Sequence, residues 1–311
     1  MAILVTGGAG FIGSHTVDAL IRRGYEVVVV DDLSTGKREY VNPEAKFYRI
    51  SILDTELERV FEENEIESVI HMAAQISVEH SLKEPVKDAE INVLGSLNLL
   101  ELCRKHNVEK IVFSSSVAVY GEPQYLPVDE NHALLPISPY GVTKLAVEKY
   151  LYHYWQNYGI DYVSLRYANV YGPRQRSDSE GGVVAIFVTK VLRNEEVTVY
   201  GDGNQTRDFV YVEDVAEANA LALEKSARNK EFNVSTCRET SVNQLLSMIA
   251  GITNRGPKIK HGEPRREIRR CCFGYESISS QLGWKPKHAL EQGLRKTVEW
   301  YQSKLRPPKL T

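Results

Sequence analysis

Sulfur is scarce in this 311-residue chain and is not arranged for chemistry. The four cysteines, Cys103, Cys237, Cys271 and Cys272, form no C-x-x-C pair and no metal-ligand spacing. A disulfide scaffold and a zinc site are thereby disfavoured, no metal is expected, and a reducing, cytoplasmic setting is expected. Charge of one sign is also lacking: 38 Lys and Arg face 41 Asp and Glu, for a formal net charge of −3. That balance speaks against nucleic-acid or membrane-surface partners. No apolar run is long enough to span a bilayer, and the opening on a strand-like run makes a signal peptide unexpected. Repeats and low-complexity tracts are missing too. The one strongly basic cluster, Arg265-Arg266-Glu267-Ile268-Arg269-Arg270, reads by default as a solvated face. Histidines are scattered, and His71, after an apolar run, reads as a packed strand-end residue.

What is present begins at once. Ile3-Leu4-Val5 runs into Thr6-Gly7-Gly8-Ala9-Gly10-Phe11-Ile12-Gly13, then a helical pattern ending at Gly24, then Val27-Val28-Val29-Val30-Asp31-Asp32. This is a strand–helix–strand unit with a phosphate-binding turn. A pyrophosphate favours a helix N-terminus, where free N–H groups and the macrodipole meet its charge. The backbone must approach it closely, so Gly7 and Gly10 are expected to lack a Cβ for that reason, and Gly13 to let the helix pack tightly on the strand. Asp31 is placed to accept from the adenosine ribose hydroxyls. With Asp32 it would repel a 2′-phosphate, which favours NAD over NADP; nearby Lys37 and Arg38 temper that preference.

Helical and strand patterns alternate onwards: strands at 47–50, 68–72, 110–113 and 162–166, and helices at 55–64 with Asp54 as cap, 89–106, and 140–158 opened by Pro139. The expected fold is α/β, a Rossmann-like doubly wound parallel sheet with a smaller C-terminal α/β substrate domain, and its ligand outside the carboxyl ends of the strands. After Tyr171-Gly172-Pro173 the pattern loosens, with shorter helices at 183–192, 214–225 and 242–250. The division is placed at residues 1–172 and 173–311. The segment 207–212 reads as a strand returning to the flank of the first domain, a return that extends over 207–235.

Tyr140 and Lys144 are four apart in a helical segment and share a face. A neighbouring ammonium is expected to ease ionisation of the phenol, giving a general acid/base near neutral pH. Tyr-x-x-x-Lys alone is common. Here Ser114-Ser115-Ser116 follows a strand at the end where the ligand is expected, which brings a candidate catalytic hydroxyl to the pair.

The glycine turn behind Thr6, the serine run leading to Val119-Tyr120-Gly121, Ser138-Pro139-Tyr140-Gly141-Val142-Thr143-Lys144 and Leu165-Arg166-Tyr167-Ala168-Asn169-Val170-Tyr171-Gly172-Pro173-Arg174 resemble one family. It is the NAD-dependent sugar-nucleotide epimerase/dehydratase family of extended short-chain dehydrogenases/reductases. Gly201-Asp202-Gly203, Arg207-Asp208-Phe209-Val210-Tyr211-Val212 and Leu282-Gly283-Trp284 extend the likeness over nearly the whole chain, nearest to the subgroup that epimerises UDP-hexoses at C4. The resemblance implies Tyr140 as acid/base, Lys144 as its partner and ribose anchor, and Ser116 as a bridge to the sugar 4-OH. It implies cofactor contacts at Gly7, Gly10, Phe11, Ile12, Asp31, Asp32, Leu33, Ser34, Thr35, Gly36, Ser51, Ile52, Met72, Ala73, Ala74, Gln75, Asn92, Ser114, Tyr167 and Val170. For the diphosphate it implies Asn169, Arg207 and Arg266, with Arg265 close behind. For uridine it implies Val183, Thr198 and Tyr200, and beside the sugar 2-substituent Cys271. A UDP-sugar substrate, NAD and a homodimer formed through helices 89–106 and 140–158 complete the implication.

Two departures stand out. Ser51 replaces an acid that often holds the adenine amino group, and the family's Arg-x-Gly-Asp motif lacks its Gly-Asp before Ile268. A 4,6-dehydratase would carry Asp-Glu beside the catalytic hydroxyl, where Val117-Ala118 stand. A UDP-glucuronate epimerase or decarboxylase would need a carboxylate site that the sequence does not reveal. A non-catalytic NAD-binding protein would have no use for Ser116, Tyr140 and Lys144 together.

Overall fold

The computed structural model describes residues 1–178, 181–224, 226–265 and 267–305. The chain opens with β1 (Ala2–Thr6), α1 (Phe11–Arg22), β2 (Val27–Val30), β3 (Lys46–Tyr48), α2 (Leu57–Glu62) and β4 (Ile66–His71). Helical segments α3 (Val78–Lys83) and α4 (Pro85–Ala89) run into a π-helical turn, Glu90–Leu94, and on into α5 (Gly95–Lys105). Then come β5 (Lys110–Ser116), α6 (Pro139–Tyr158), β6 (Asp161–Tyr167), β7 (Asn169–Tyr171), α7 (Val183–Leu192) and β8 (Glu196–Tyr200). The remainder is β9 (Thr206–Arg207), β10 (Phe209–Tyr211), α8 (Val212–Ala222), β11 (Lys230–Val234), β12 (Thr240–Ser241), α9 (Val242–Thr253), β13 (Lys258–Gly262), α10 (Glu276–Leu282) and α11 (Leu290–Leu305).

The sheet order is β3-β2-β1-β4-β5-β6-β11, parallel throughout. Alternate residues of β1 enter two different cores, Ile3 and Val5 on one face and Ala2 and Leu4 on the other. A strand buried on both faces needs an unbroken apolar run, which is why 2–5 and 27–30 carry one. The order reverses between β1 and β4, and there a crevice opens at the carboxyl ends. In-register pairing sets Thr6 beside His71, His71 beside Phe113, and Ser116 beside Tyr167, so the loops leaving these strands are neighbours.

Several boundaries differ from the sequence reading, each for a local reason. The strand expected at 47–50 is Lys46–Tyr48. The helix expected at 55–64 is only Leu57–Glu62. Asp54 does not cap it, because its carboxylate takes the N–H of Ser51 at 3.0 Å. The helix expected from Ala89 is continuous from Pro85, and its π turn breaks the 3.6-residue period there. By contrast α6 follows the punctuation closely: Ser138 accepts from Gly141 N, Pro139 takes the first position, and Gly159 ends the helix at φ +74°.

The segment 207–212 does not enter the main sheet. β10 pairs with β7, and β9 with β12. The return to the sheet is made by β11 against β6. A third apolar core joins α7, β8, β10, α9 and α11 through Val188, Val197, Phe209, Leu245 and Leu294.

Candidate active site

The glycine turn is shaped by its neighbours. Gly7 has φ +71°, and a Cβ there would lie 2.7 Å from the amide nitrogen of Ala73. The constraint at Gly7 therefore comes from the β4 loop, not only from a ligand. At Gly10 a Cβ would meet only the Gly7 carbonyl, at 3.1 Å. Gly13 packs α1 against the Gly7 carbonyl, so the close approach is to the turn rather than to the strand. No side chain caps α1 at Gly10, which leaves first-turn N–H groups for an anion, beside half-buried Phe11 and Ile12. The cradle suits a dinucleotide diphosphate.

Asp31 is buried, and its oxygens accept from Ala9 N at 2.9 Å and Leu33 N at 2.8 Å. It braces the glycine turn against the end of β2 while keeping lone pairs for a ribose hydroxyl. Burial pushes its pKa up, against the pull of those two amides. Leu33 takes φ +62°, and Ser34, Thr35 and Gly36 continue around the rim, with Ser34 N held by exposed Asp32. Lys37 and Arg38 lie over the rings of Tyr40 and Phe47. The Ser51 hydroxyl accepts from Leu53 N. Ile52 turns its side chain to Gly95 and its carbonyl to Asn98.

Across the crevice, Met72 N and Ala73 N donate to the Thr6 hydroxyl, and Ala74 and Gln75 follow half-buried. Asn92, from the π turn, brackets the Gln75 backbone with bonds of 2.8 and 3.0 Å. His71 is the packed residue the sequence suggests: its two ring nitrogens meet Thr6 and Ser96, both at 2.8 Å.

Lys144 reaches from α6 to the Ser114 carbonyl at 2.8 Å, with its ammonium 5.8 Å from the Tyr140 ring centroid. The Ser116 hydroxyl engages the Tyr140 phenol and accepts from Ala118 N. Serine, tyrosine and lysine thus converge at the carboxyl end of β5. The expected easing of Tyr140 ionisation does not hold in the protein alone. Burial pushes the phenol up to about 12 despite the Ser116 bond, and burial lowers Lys144 to about 8 against the pull of Asp88 and Glu148. Desolvation dominates the phenol, and the ammonium is itself anchored on a carbonyl.

Sequence reasoning missed the polar layer beneath. Ser115 donates to Glu148 at 2.6 Å, and Glu148 forms a buried bidentate pair with Arg166, at 3.0 and 2.7 Å. Arg166 continues to the Tyr120 hydroxyl, and Tyr120 to Asn233. The available signal was the spacing 140, 144, 148 along one face of α6. Tyr167 is buried with its hydroxyl on Asn219 and Ser114, so its polar end faces α8.

On the substrate side, Val183 opens α7, and Thr198 and Tyr200 share one face of β8, all three half-buried. The Arg265 guanidinium stacks 3.6 Å over the Tyr200 ring centroid. Arg266 lies outside the described residues. Asn169 is exposed at the start of β7, next to half-buried Val170, and gives its N–H to the Asp208 carbonyl. Arg207, implied at the diphosphate, is already engaged: it pairs with Glu267 and donates to the Ile268 carbonyl at 2.9 Å. Buried Asp208 accepts from Thr236 and from the amides of Cys237 and Phe273, which holds the Cys271 segment in place. Cys271 is buried beside it. This clamp also sets the sulfurs of Cys237 and Cys272 3.8 Å apart as free thiols, a proximity no sequence spacing signals. Among the described residues no metal-binding cluster occurs, and no helix is long and apolar enough to cross a membrane.

The sequence profile of the NAD-dependent epimerase/dehydratase family matches residues 3–235. A putative UDP-glucose 4-epimerase of Methanocaldococcus jannaschii is 49% identical over 304 residues, covering 97% of this chain and 98% of its own. Among solved structures, the Thermotoga maritima UDP-glucose 4-epimerase with UDP-glucose superposes with a TM-score of 0.96 at 49% identity, covering 98% of this chain and 100% of that one. The Thermus thermophilus UDP-glucose 4-epimerase in complex with NAD gives a TM-score of 0.93 at 45% identity, covering 97% and 99%.

Proposed function

This chain belongs to the NAD-dependent epimerase/dehydratase family, and from that premise we propose that it inverts C4 of a UDP-hexose, interconverting UDP-glucose and UDP-galactose. The observation that carries this reading is the convergence of Ser116, Tyr140 and Lys144 on the crevice whose other wall is the glycine turn. NAD, when bound along that turn, supplies the hydride acceptor and donor for C4. Tyr140 takes the 4-OH proton and later returns it, with Ser116 holding the sugar oxygen within reach. The Lys144 ammonium, fixed on Ser114, favours the phenolate of Tyr140 as the site fills and water leaves. The diphosphate is held by Arg207 and Asn169, together with an arginine of the 265–266 pair, and uridine by Val183, Thr198 and Tyr200. Tethering from remote groups keeps the 4-keto sugar in the pocket while it turns to present its other face.

The experiment is turnover of UDP-glucose with product resolution and a deuterium label at C4. Retention of the label in the C4-inverted product is expected; its loss to water refutes the scheme. Tyr140→Phe should keep its NAD and lose turnover by on the order of 10³-fold. The small Cys271 beside the sugar also supports acceptance of N-acetylated UDP-hexoses, and Cys271→Tyr should remove turnover of UDP-N-acetylglucosamine while sparing UDP-glucose.

Exposed apolar side chains on the π turn before α5 and along α6 support a homodimer. Leu94 at 58% exposure, Val142 at 52% and Tyr152 at 51% leave apolar surface uncovered, joined by Ile137 at 63%. Val142→Glu should then yield monomers in sedimentation. The third core supports a division of the chain near residue 173, with β11 returning to the first domain. Four free thiols support a cytoplasmic setting.

A further inference from the structure

Behind Tyr140 and Lys144 lies a carboxylate that the scheme above leaves unused. Asp88, near the end of α4, is completely buried. Its Oδ2 accepts from the Thr143 hydroxyl at 2.9 Å. Its Oδ1 accepts from Gln75 Nε2 at 2.6 Å and from Asn92 Nδ2 at 3.2 Å. All three donors are neutral, and they come from three separate pieces of chain: α6, the loop after β4, and the π turn.

Each donor borders the reaction. Thr143 sits in the turn of α6 between Tyr140 and Lys144, and its hydroxyl also lies 3.0 Å from the Tyr140 carbonyl. Asn92 links back to the same hydroxyl at 3.1 Å while bracketing the Gln75 backbone on the cofactor side. A carboxylate buried on neutral donors alone is a costly way to join helices, when an apolar side chain would pack there without desolvation. Its charge and its acceptor sites therefore call for a use. The π turn sharpens the point, because it is what turns Asn92 inward between Asp88 and Gln75.

We propose that Asp88 is a positioning residue for the proton-transfer step: it locks the Tyr140–Lys144 turn of α6 to the Gln75 loop and faces that pair with a fixed negative charge. The proposal rests on Tyr140 being the acid/base. The other groups facing the pair are the Ser114 carbonyl and Ser116 hydroxyl of β5, Glu148 one turn along α6, His71 of β4 and Tyr167 of β6. Of these, Glu148 is matched by Arg166 and His71 is held neutral by burial, which leaves Asp88, hydrogen-bonded only to neutral donors, as the carboxylate that acts on the pair. Its field opposes ionisation of Tyr140 and favours the protonated form of Lys144.

The test uses the NAD-loaded protein, with UDP-glucose turnover measured against pH in Asp88→Asn and Asp88→Leu and normalised to NAD content. Asparagine keeps the shape and one acceptor but removes the charge. Tyr140 then ionises more readily and Lys144 loses its proton more readily, so both limbs of the kcat profile should move to lower pH, by roughly half a unit to one unit. Leucine removes the anchor as well, and should lower kcat about 10-fold or more while KM stays within about 2-fold, because the diphosphate is held elsewhere. A profile for Asp88→Asn that superimposes on the parent, with parental kcat in Asp88→Leu, overturns the proposal. So does a drop in Tm with kcat and pH profile per NAD-loaded molecule unchanged, which would give Asp88 a folding role only. Tyr140→Phe run alongside separates the two readings: full activity there removes the acid/base assignment itself, whatever Asp88 does.

Discussion

From the β1–β2 side the dinucleotide turn is braced by short spans: Gly7 N donates to the Val30 carbonyl 23 residues on, Ala9 N to Asp31 across 22, and Lys37 N back to the Ala9 carbonyl across 28. On the substrate side, Arg207 meets Glu267 across 60 residues, and Asp208 meets Phe273 across 65. The first half is one strand–helix–strand unit, closed from outside by the β4 loop at Gly7 and Thr6. The second is assembled from β8, β9, β11 and the 265–273 segment, and its arginine already has a carboxylate partner. Local construction makes a pre-shaped cradle; long-range construction makes a site whose charges are balanced internally.

That contrast can be broken at either end. Gly7→Ala should be the most damaging change, because a positive φ and the Ala73 amide both oppose a Cβ; a cost of about 3 kcal/mol or more, with loss of bound NAD, is expected. Calorimetry and cofactor content read it, and a stable, NAD-loaded Gly7→Ala would show the cradle to be softer than its geometry. Arg207→Ala should raise KM for UDP-glucose by about 10- to 100-fold, the worth of a charge-assisted bond, with kcat much less affected.

Acid should weaken the cofactor half next. Burial lowers His71 to about 3, so the unfolded chain takes up a proton on falling below the ordinary imidazole value of 6.5 while the folded one does not. Stability should therefore fall as pH drops from 6.5 towards 3, by about 2 kcal/mol at pH 5 from this residue. Denaturant titrations at pH 7 and 5, compared with His71→Gln, isolate it. The smallest effect belongs to Glu267→Gln. Freeing Arg207 from its half-exposed partner should lower KM about 2- to 5-fold, and an unchanged KM would mean that the pair does not compete with the diphosphate.

Legibility in the sequence followed the same divide. The glycine turn, Asp31 at the end of β2, the Pro139 start of α6 and the Tyr140–Lys144 interval are short-range signals, and the structure shows the turn, strand end and helix that they predict, with Gly13 packing on the turn rather than the strand. Asp88 left no such mark, because the π turn after it breaks helical periodicity at the very residues that matter. Glu148 and Arg166 form a buried pair only because β6 and α6 bring them together, which no local pattern marks. The basic cluster was ambiguous for a related reason: Arg265 lies on Tyr200, Arg269 on Asp202 and Arg270 on Glu239, partners that no local pattern names.

The chain's order of residues was enough to settle the doubly wound sheet and the glycine turn, and to single out Ser116, Tyr140 and Lys144 as candidates, because those depend on periodicity and on backbone allowances within a few tens of residues. Tertiary structure alone decided the ionisation of Tyr140, the engagement of Arg207 and the buried layer beneath the catalytic groups. Solvent exclusion and pairing between distant segments set the free energy of a charge, and neither is a property of neighbours in sequence.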